Sequence, residues 1–180
     1  MPNLPEEVAR LVAGEPPLDA DEQAFPLLTV DERGHPHTAL LSRAELEPAY
    51  DRAALYAVVA GTGTRANLRR HPYAALLAVD GTVCHHLKLR LIRSLAFGDV
   101  LGCVFAAVHH KRDSLGIPLS PIGFRTTRQL AELEDWRRSA EVLATLHKGL
   151  PNGVCQVMLP PGSGVKRGSQ RCRGAWPTGR

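Results

Sequence analysis

Short apolar runs separated by turn residues occupy most of residues 25–113, and one long amphipathic stretch follows them. FPLLTV (25–30) and HPHTALLS (35–42) flank the turn DERG (31–34) and predict a hairpin. ALYAVVA (54–60) predicts a third strand and AALLAVD (74–80) a fourth, with Asp80-Gly81 as the next tight turn. TVCHHLKLRLIRSL (82–95) and VLGCVFAAVHHKRD (100–113) predict two long strands across Gly98-Asp99, and IGFRTT (122–127) one more short strand. Between the third and fourth strands, a helix is expected near 64–71, ended by His71-Pro72. AELEPAYDRA (44–53) reads as a polar connection.

Two further segments repeat at helical spacing. Leu4, Val8, Leu11 and Val12 share one face of a short N-terminal helix that Gly14 and Pro16-Pro17 end. Residues 128–149 predict one helix, with a stripe of Leu130, Leu133, Trp136, Arg137, Ala140, Leu143 and Ala144 and Gly149 as its stop. Helices are too few for a doubly wound sheet. Short strands joined by tight turns favour an antiparallel barrel, which leaves few exposed edges. The expected architecture is mainly β with flanking helices, a six-stranded antiparallel split β-barrel.

Composition sharpens this picture at one end only. The chain has 180 residues, 44% of them hydrophobic and 5% aromatic, so a single core of Leu, Val and Ala is expected. Its net charge of +4 belongs to the C-terminal end. From Gly149 to Arg180 there are five basic residues and no acidic one, which leaves 17 basic and 18 acidic residues before them. Residues 1–148 therefore read as one domain with N- and C-terminal helices, and 149–180 as a flexible, basic, Gly/Pro-rich tail. The folded part offers little electrostatic reason to bind nucleic acid, and no such partner is expected. No signal peptide or apolar run of membrane length is visible, and the four cysteines (Cys84, Cys103, Cys155, Cys172) lack CxxC spacing. Free thiols in a reducing cytoplasm, with no membrane partner, are expected.

Candidate chemistry concentrates in AGTGTRANLRRHP (60–72). Gly61 and Gly63 permit close backbone approach, Thr62 and Thr64 carry hydroxyls, and Arg65, Arg69 and Arg70 add positive charge. A helix start of this kind can hold a phosphate through its free N–H groups. The same residues also suit a plain capped helix with a solvated basic face. His35 and His37 share a strand face, whereas His85-His86 and His109-His110 each split across two faces. Cys84 with His86 has no second ligand pair at zinc spacing, so no metal is expected. No Gly-x-Ser-x-Gly elbow and no complete GxGxxG fingerprint is present.

Strand order, together with FPLLTVDERGHPHTALLS, ALYAVVAGTGTRANLRRHPYAALLAVDG and HLKLRLIRSL, resembles the pyridoxamine 5′-phosphate oxidase-like family of FMN-binding split barrels over about residues 24–146. In that family one strand carries a basic residue at each end of a six-residue run, and a Ser-Arg-Lys turn leads into a helix ending in Asn-Pro. Here the run ends fall on His37 and Ser42, and the basic turn positions on Gly63 and Thr64. The resemblance implies an FMN-binding protein, with flavin-dependent oxidoreductase activity on an unassigned substrate. It also implies a homodimer with the cofactor site at the interface. The phosphate would lie near Thr62, Gly63, Thr64 and Arg65. His37, Thr38, Ser42 and Val58 would lie on the strands that line the ring. The alternative is a non-catalytic split barrel that binds another small ligand, haem included, without FMN.

Overall fold

The computed structural model describes residues 2–149. Its elements are α1 (Glu6–Val12), β1 (Asp21–Gln23), β2 (Phe25–Val30), β3 (Pro36–Leu41), a 3-10 turn (Arg43–Glu45), β4 (Leu46–Pro48), β5 (Leu55–Val59), α2 (Thr62–Arg70), β6 (Tyr73–Asp80), β7 (Val83–Phe97), β8 (Val100–Ser114), β9 (Gly123–Arg125), α3 (Arg128–Leu133) and α4 (Trp136–His147). Seven strands form one sheet in the order β3-β2-β6-β7-β8-β5-β4, and β1 pairs with β9 separately. Every pairing is antiparallel. The mainly β, antiparallel half-barrel expected from the hydrophobic pattern is present. It has seven strands rather than six, because β4 lies inside the segment expected to be a polar connection. Of that three-residue strand, only Leu46 is buried, and pairing with β5 holds it in place.

Period-two alternation builds the inner face. Phe25 and Leu27 of β2, Leu76 of β6, Leu87 and Leu89 of β7, and Cys103 and Phe105 of β8 are all nearly inaccessible. Helix α1 adds Val8 and Val12 to this core, the segment before it adds Leu4, and α2 adds Leu68. Because α1 touches both β4 at one edge and β6 near the other, the sheet must curl around it. The fully buried Cys103 thiol is pushed strongly up by burial, which keeps it protonated and unreactive.

A second cluster lies on the opposite face. Val58 of β5, Leu95 of β7 and Val104 of β8 pack under Val142, Leu143 and Leu146 of α4. Helix and sheet approach closely at Gly102, where an added Cβ would stand 3.0 Å from both Phe97 and Val142. Arg138 ties the helix to the β7–β8 turn, donating to the Phe97 carbonyl at 2.6 Å and pairing with Asp99.

The helix expected over 128–149 is in fact two. Asp135 adopts φ +45° and caps α4, accepting from the Arg138 N–H at 3.3 Å. The phase changes at this break. Leu133 is 78% exposed, and the buried face is Ser139, Val142, Leu143 and Leu146, of which the expected stripe contained only Leu143. Among the described residues, no helix is long and apolar enough to cross a membrane. Apart from Gly149, the tail expected to be flexible lies outside the described residues, as do Cys155 and Cys172.

Candidate functional site at the start of α2

Helix α2 begins at Thr62, two residues before the expected start, and lies against β2 and β3. Thr64, Asn67 and Leu68 form its buried face at i, i+3 and i+4. Asn67 donates from Nδ2 to the Thr29 hydroxyl at 3.0 Å, both groups being buried, and accepts from Arg70 at 2.6 Å. These contacts, with Leu68 in the core, fix where the helix starts. The buried i, i+3 spacing of Thr64 and Asn67 was visible in the sequence, yet Asn67 was not singled out there.

The start itself is open. Gly61 is the N-cap and supplies no side-chain hydrogen bond. Arg65 N–H donates to the Gly61 carbonyl at 3.0 Å, but among the described residues the N–H groups of Thr62, Gly63 and Thr64 find no acceptor. Thr62 and Gly63 are exposed. Thr64 is 1% exposed, and its hydroxyl is bonded to His37 Nε2 at 3.1 Å. Gly63 suits this arrangement, because an added Cβ would meet the His37 ring at 3.1 Å and the ring would have to give by a few tenths of an ångström. Arg65 is half-buried, and its buried Nε has no hydrogen-bond partner. Among the described residues Arg65 also has no carboxylate partner. Three unpaired N–H groups and the exposed Thr62 thus stand at the positive end of a helix dipole, with Arg65, whose buried Nε is unpaired, the next residue along the helix.

The structure brings together five of the eight residues expected at the site: His37, Thr62, Gly63, Thr64 and Arg65. Thr38 points to the other face of β3 from His37. Ser42 is buried and engaged elsewhere, since its N–H and hydroxyl both donate to Glu45 Oε2, at 2.8 and 3.0 Å. Burial raises the Glu45 carboxyl above its ordinary range, and the two Ser42 bonds oppose that shift. Val58 lies beneath α4, on the sheet face opposite His37. Among the described residues, no three His, Cys, Asp or Glu side chains group as a metal site requires.

The residues at α2 fit the phosphate end of a nucleotide-type cofactor. The N–H groups would bond its oxygens and Arg65 would balance part of its charge.

No family model matches the chain, and no curated protein matches it by sequence. Structures with a similar course include the styrene monooxygenase flavin reductase SMOB from Pseudomonas putida, at 6% identity and a TM-score of 0.48, covering 68% of this chain and 95% of that one. HupZ of Group A Streptococcus is 12% identical with a TM-score of 0.48, over 65% of this chain and 99% of its own. Flavin reductase PheA2 is 7% identical with a TM-score of 0.43, over 69% and 100%. Its fold neighbours thus include flavin reductases and HupZ. At these identities and scores the likenesses carry no argument about chemistry, and the fold rests on the strand order itself.

Proposed function

We propose that this chain is a flavoprotein that binds FMN, with the phosphate at the first turn of α2 and activity of the oxidoreductase type. One observation carries the reading. The helix start has no cap of its own, and the buried guanidinium nitrogen beside it has no partner. Leaving such a group unsatisfied costs about 1–3 kcal/mol, and more when it is charged. An anion at this position removes that cost. The cofactor, when bound, supplies hydride or electron transfer, and the protein supplies position and electrostatics. His37 orients Thr64 and, through Gly63, shapes the approach to the N–H groups.

The proposal includes a homodimer with the site at its interface. Support for association, though not for the place of the site in it, comes from the outer face of β2, β3 and β6, the side of the sheet opposite His37 and α2. Val30, Leu40 and Tyr73 are 41%, 54% and 59% exposed there, and Leu28 and Leu77 are half-buried. Ladder pairing places these residues on one face, an apolar area of the kind that association covers.

The test is the absorbance spectrum of the purified full-length chain, followed by FMN titration and sedimentation. Flavin bands, or saturable FMN uptake by a dimer, are the expected result. Colourless protein that takes up no FMN overturns the reading. A Soret band instead assigns the chain to the haem-binding alternative.

A further inference from the structure

His85 and His110 lie far from α2 and take no part in the proposed site. His85, on β7, is 1% exposed, and His110 is half-buried on β8. His85 Nδ1 and His110 Nε2 are 3.0 Å apart, and the rings are within 7° of parallel with centroids 5.3 Å apart. That centroid separation is what a 3.0 Å contact gives when both nitrogens lie on the line between the ring centres. The two lone-pair directions therefore oppose each other along one N–H···N bond and do not converge on a metal ion.

Helix α1 is anchored beside this pair. Arg112, directly across the ladder from His85, stands 3.9 Å from Glu7 of α1. The charged and titratable groups facing the pair are Glu7 from α1, Asp80 from β6, and Arg112 and His109 from β8. The helix has only seven residues and no side-chain cap at its N-terminus, so its hold comes from packing of Val8, Ala9 and Val12 together with side-chain contacts such as Glu7–Arg112.

We propose that the His85–His110 bond is an acid-sensitive latch that keeps α1 on the sheet. In the neutral pair one ring donates and the other accepts. A first extra proton can enter at the far nitrogen of the donor ring and leave the bond intact. A second must enter on the bond line, where two N–H groups would face each other at 3.0 Å. The rings then separate, carrying Arg112 away from Glu7 and releasing α1. Burial holds both rings below the ordinary histidine range; His110 lowers His85 further, and Arg112 lowers both. Glu7 opposes the shift at both rings. The folded state therefore favours the neutral pair. The latch is closed above the unfolded histidine pKa of about 6.5 and opens as pH falls below it. The two rings titrate as a unit.

Hydrogen exchange of the full-length chain between pH 7.5 and 5.0, corrected for intrinsic rates, tests this. Protection of residues 8–12 should fall by about tenfold to a hundredfold per pH unit below pH 6, the slope set by one to two protons taken up on opening. Protection of β5 should stay constant. His110→Gln keeps a hydrogen-bonding side chain and should reduce the slope by one proton. Glu7→Gln removes the Arg112 contact through which the pair holds α1, so protection of α1 should be lower at pH 7.5 and its step near pH 6 should flatten. Protection of α1 that is independent of pH overturns the latch. So does a transition that keeps its full slope with His110→Gln, or one that Glu7→Gln leaves untouched. Should His110→Gln fail to fold, the imidazole NMR titration of the wild-type chain decides. Joint titration of His85 and His110 with α1 release supports the latch, and independent titration refutes it.

Discussion

The starts of α2 and α4 solve the same problem in opposite ways. Every helix begins with N–H groups that lack intrahelical acceptors. At α4, Asp135 adopts a left-handed backbone and accepts from the Arg138 N–H. At α3, the Thr127 hydroxyl accepts from Leu130 at 3.0 Å. At α2 the cap residue is Gly61, and the one nearby hydroxyl that is buried, that of Thr64, is bonded to His37. Each of the first two helices satisfies one of its first N–H groups from a side chain of its own N-cap. The third has no side-chain cap, a feature it shares with α1, and what sets it apart is Arg65, four residues in, whose buried Nε has no partner.

The largest effect that would break the comparison lies at Arg65. Arg65→Ala should weaken FMN binding by about tenfold to a hundredfold, since a hydrogen bond to a charged group is worth about 1.5–3 kcal/mol. Unchanged affinity would remove α2 from the site. At the α4 side, Gly102→Ala should destabilise the fold by about 1–3 kcal/mol, because Phe97 and Val142 must yield. Urea unfolding reads this directly, and FMN affinity measured on the folded fraction should not change. Asp135→Ala should cost about 1 kcal/mol of stability through the lost cap and leave FMN binding alone. The smallest expected change is the most discriminating. Gly61→Asp gives α2 the cap it lacks, and the Cβ meets only the Thr64 hydroxyl, at an ordinary 3.5 Å. Stability should rise by a few tenths of a kcal/mol. FMN affinity should fall, because a carboxylate then occupies the N–H groups that the phosphate needs. A variant that gains stability with no loss of affinity would make the α2 start structural, like the other two.

The sheet was largely legible from the chain. β2, β3, β5, β6 and the long β7–β8 hairpin carry period-two alternation or compact apolar runs bounded by turn residues. β4 was hidden because one buried leucine among charged neighbours gives no period. The break at Glu134-Asp135 was hidden for a different reason. No glycine or proline marks it, and Asp135 reaches positive φ without either. In the site, the Gly-Thr turn announced itself through residue type. Thr38 was grouped with His37 although adjacent strand positions face opposite ways. The sequence Ser42-x-x-Glu45 is a capping-box signature, and it claims Ser42 for the chain's own backbone. Val58 could not be assigned a face until α4 was placed over it.

The β7–β8 ribbon has a last consequence. Its pairing slips between Leu91 and Arg93, so Leu87, Leu89 and Leu91 line the interior whereas Leu95 turns to the opposite side. On β8, every residue from Leu101 to Ala107 is buried. One hairpin is therefore the party wall of two rooms. A fault in either apolar cluster loosens the masonry of the other, and the molecule has no half that can be lost alone.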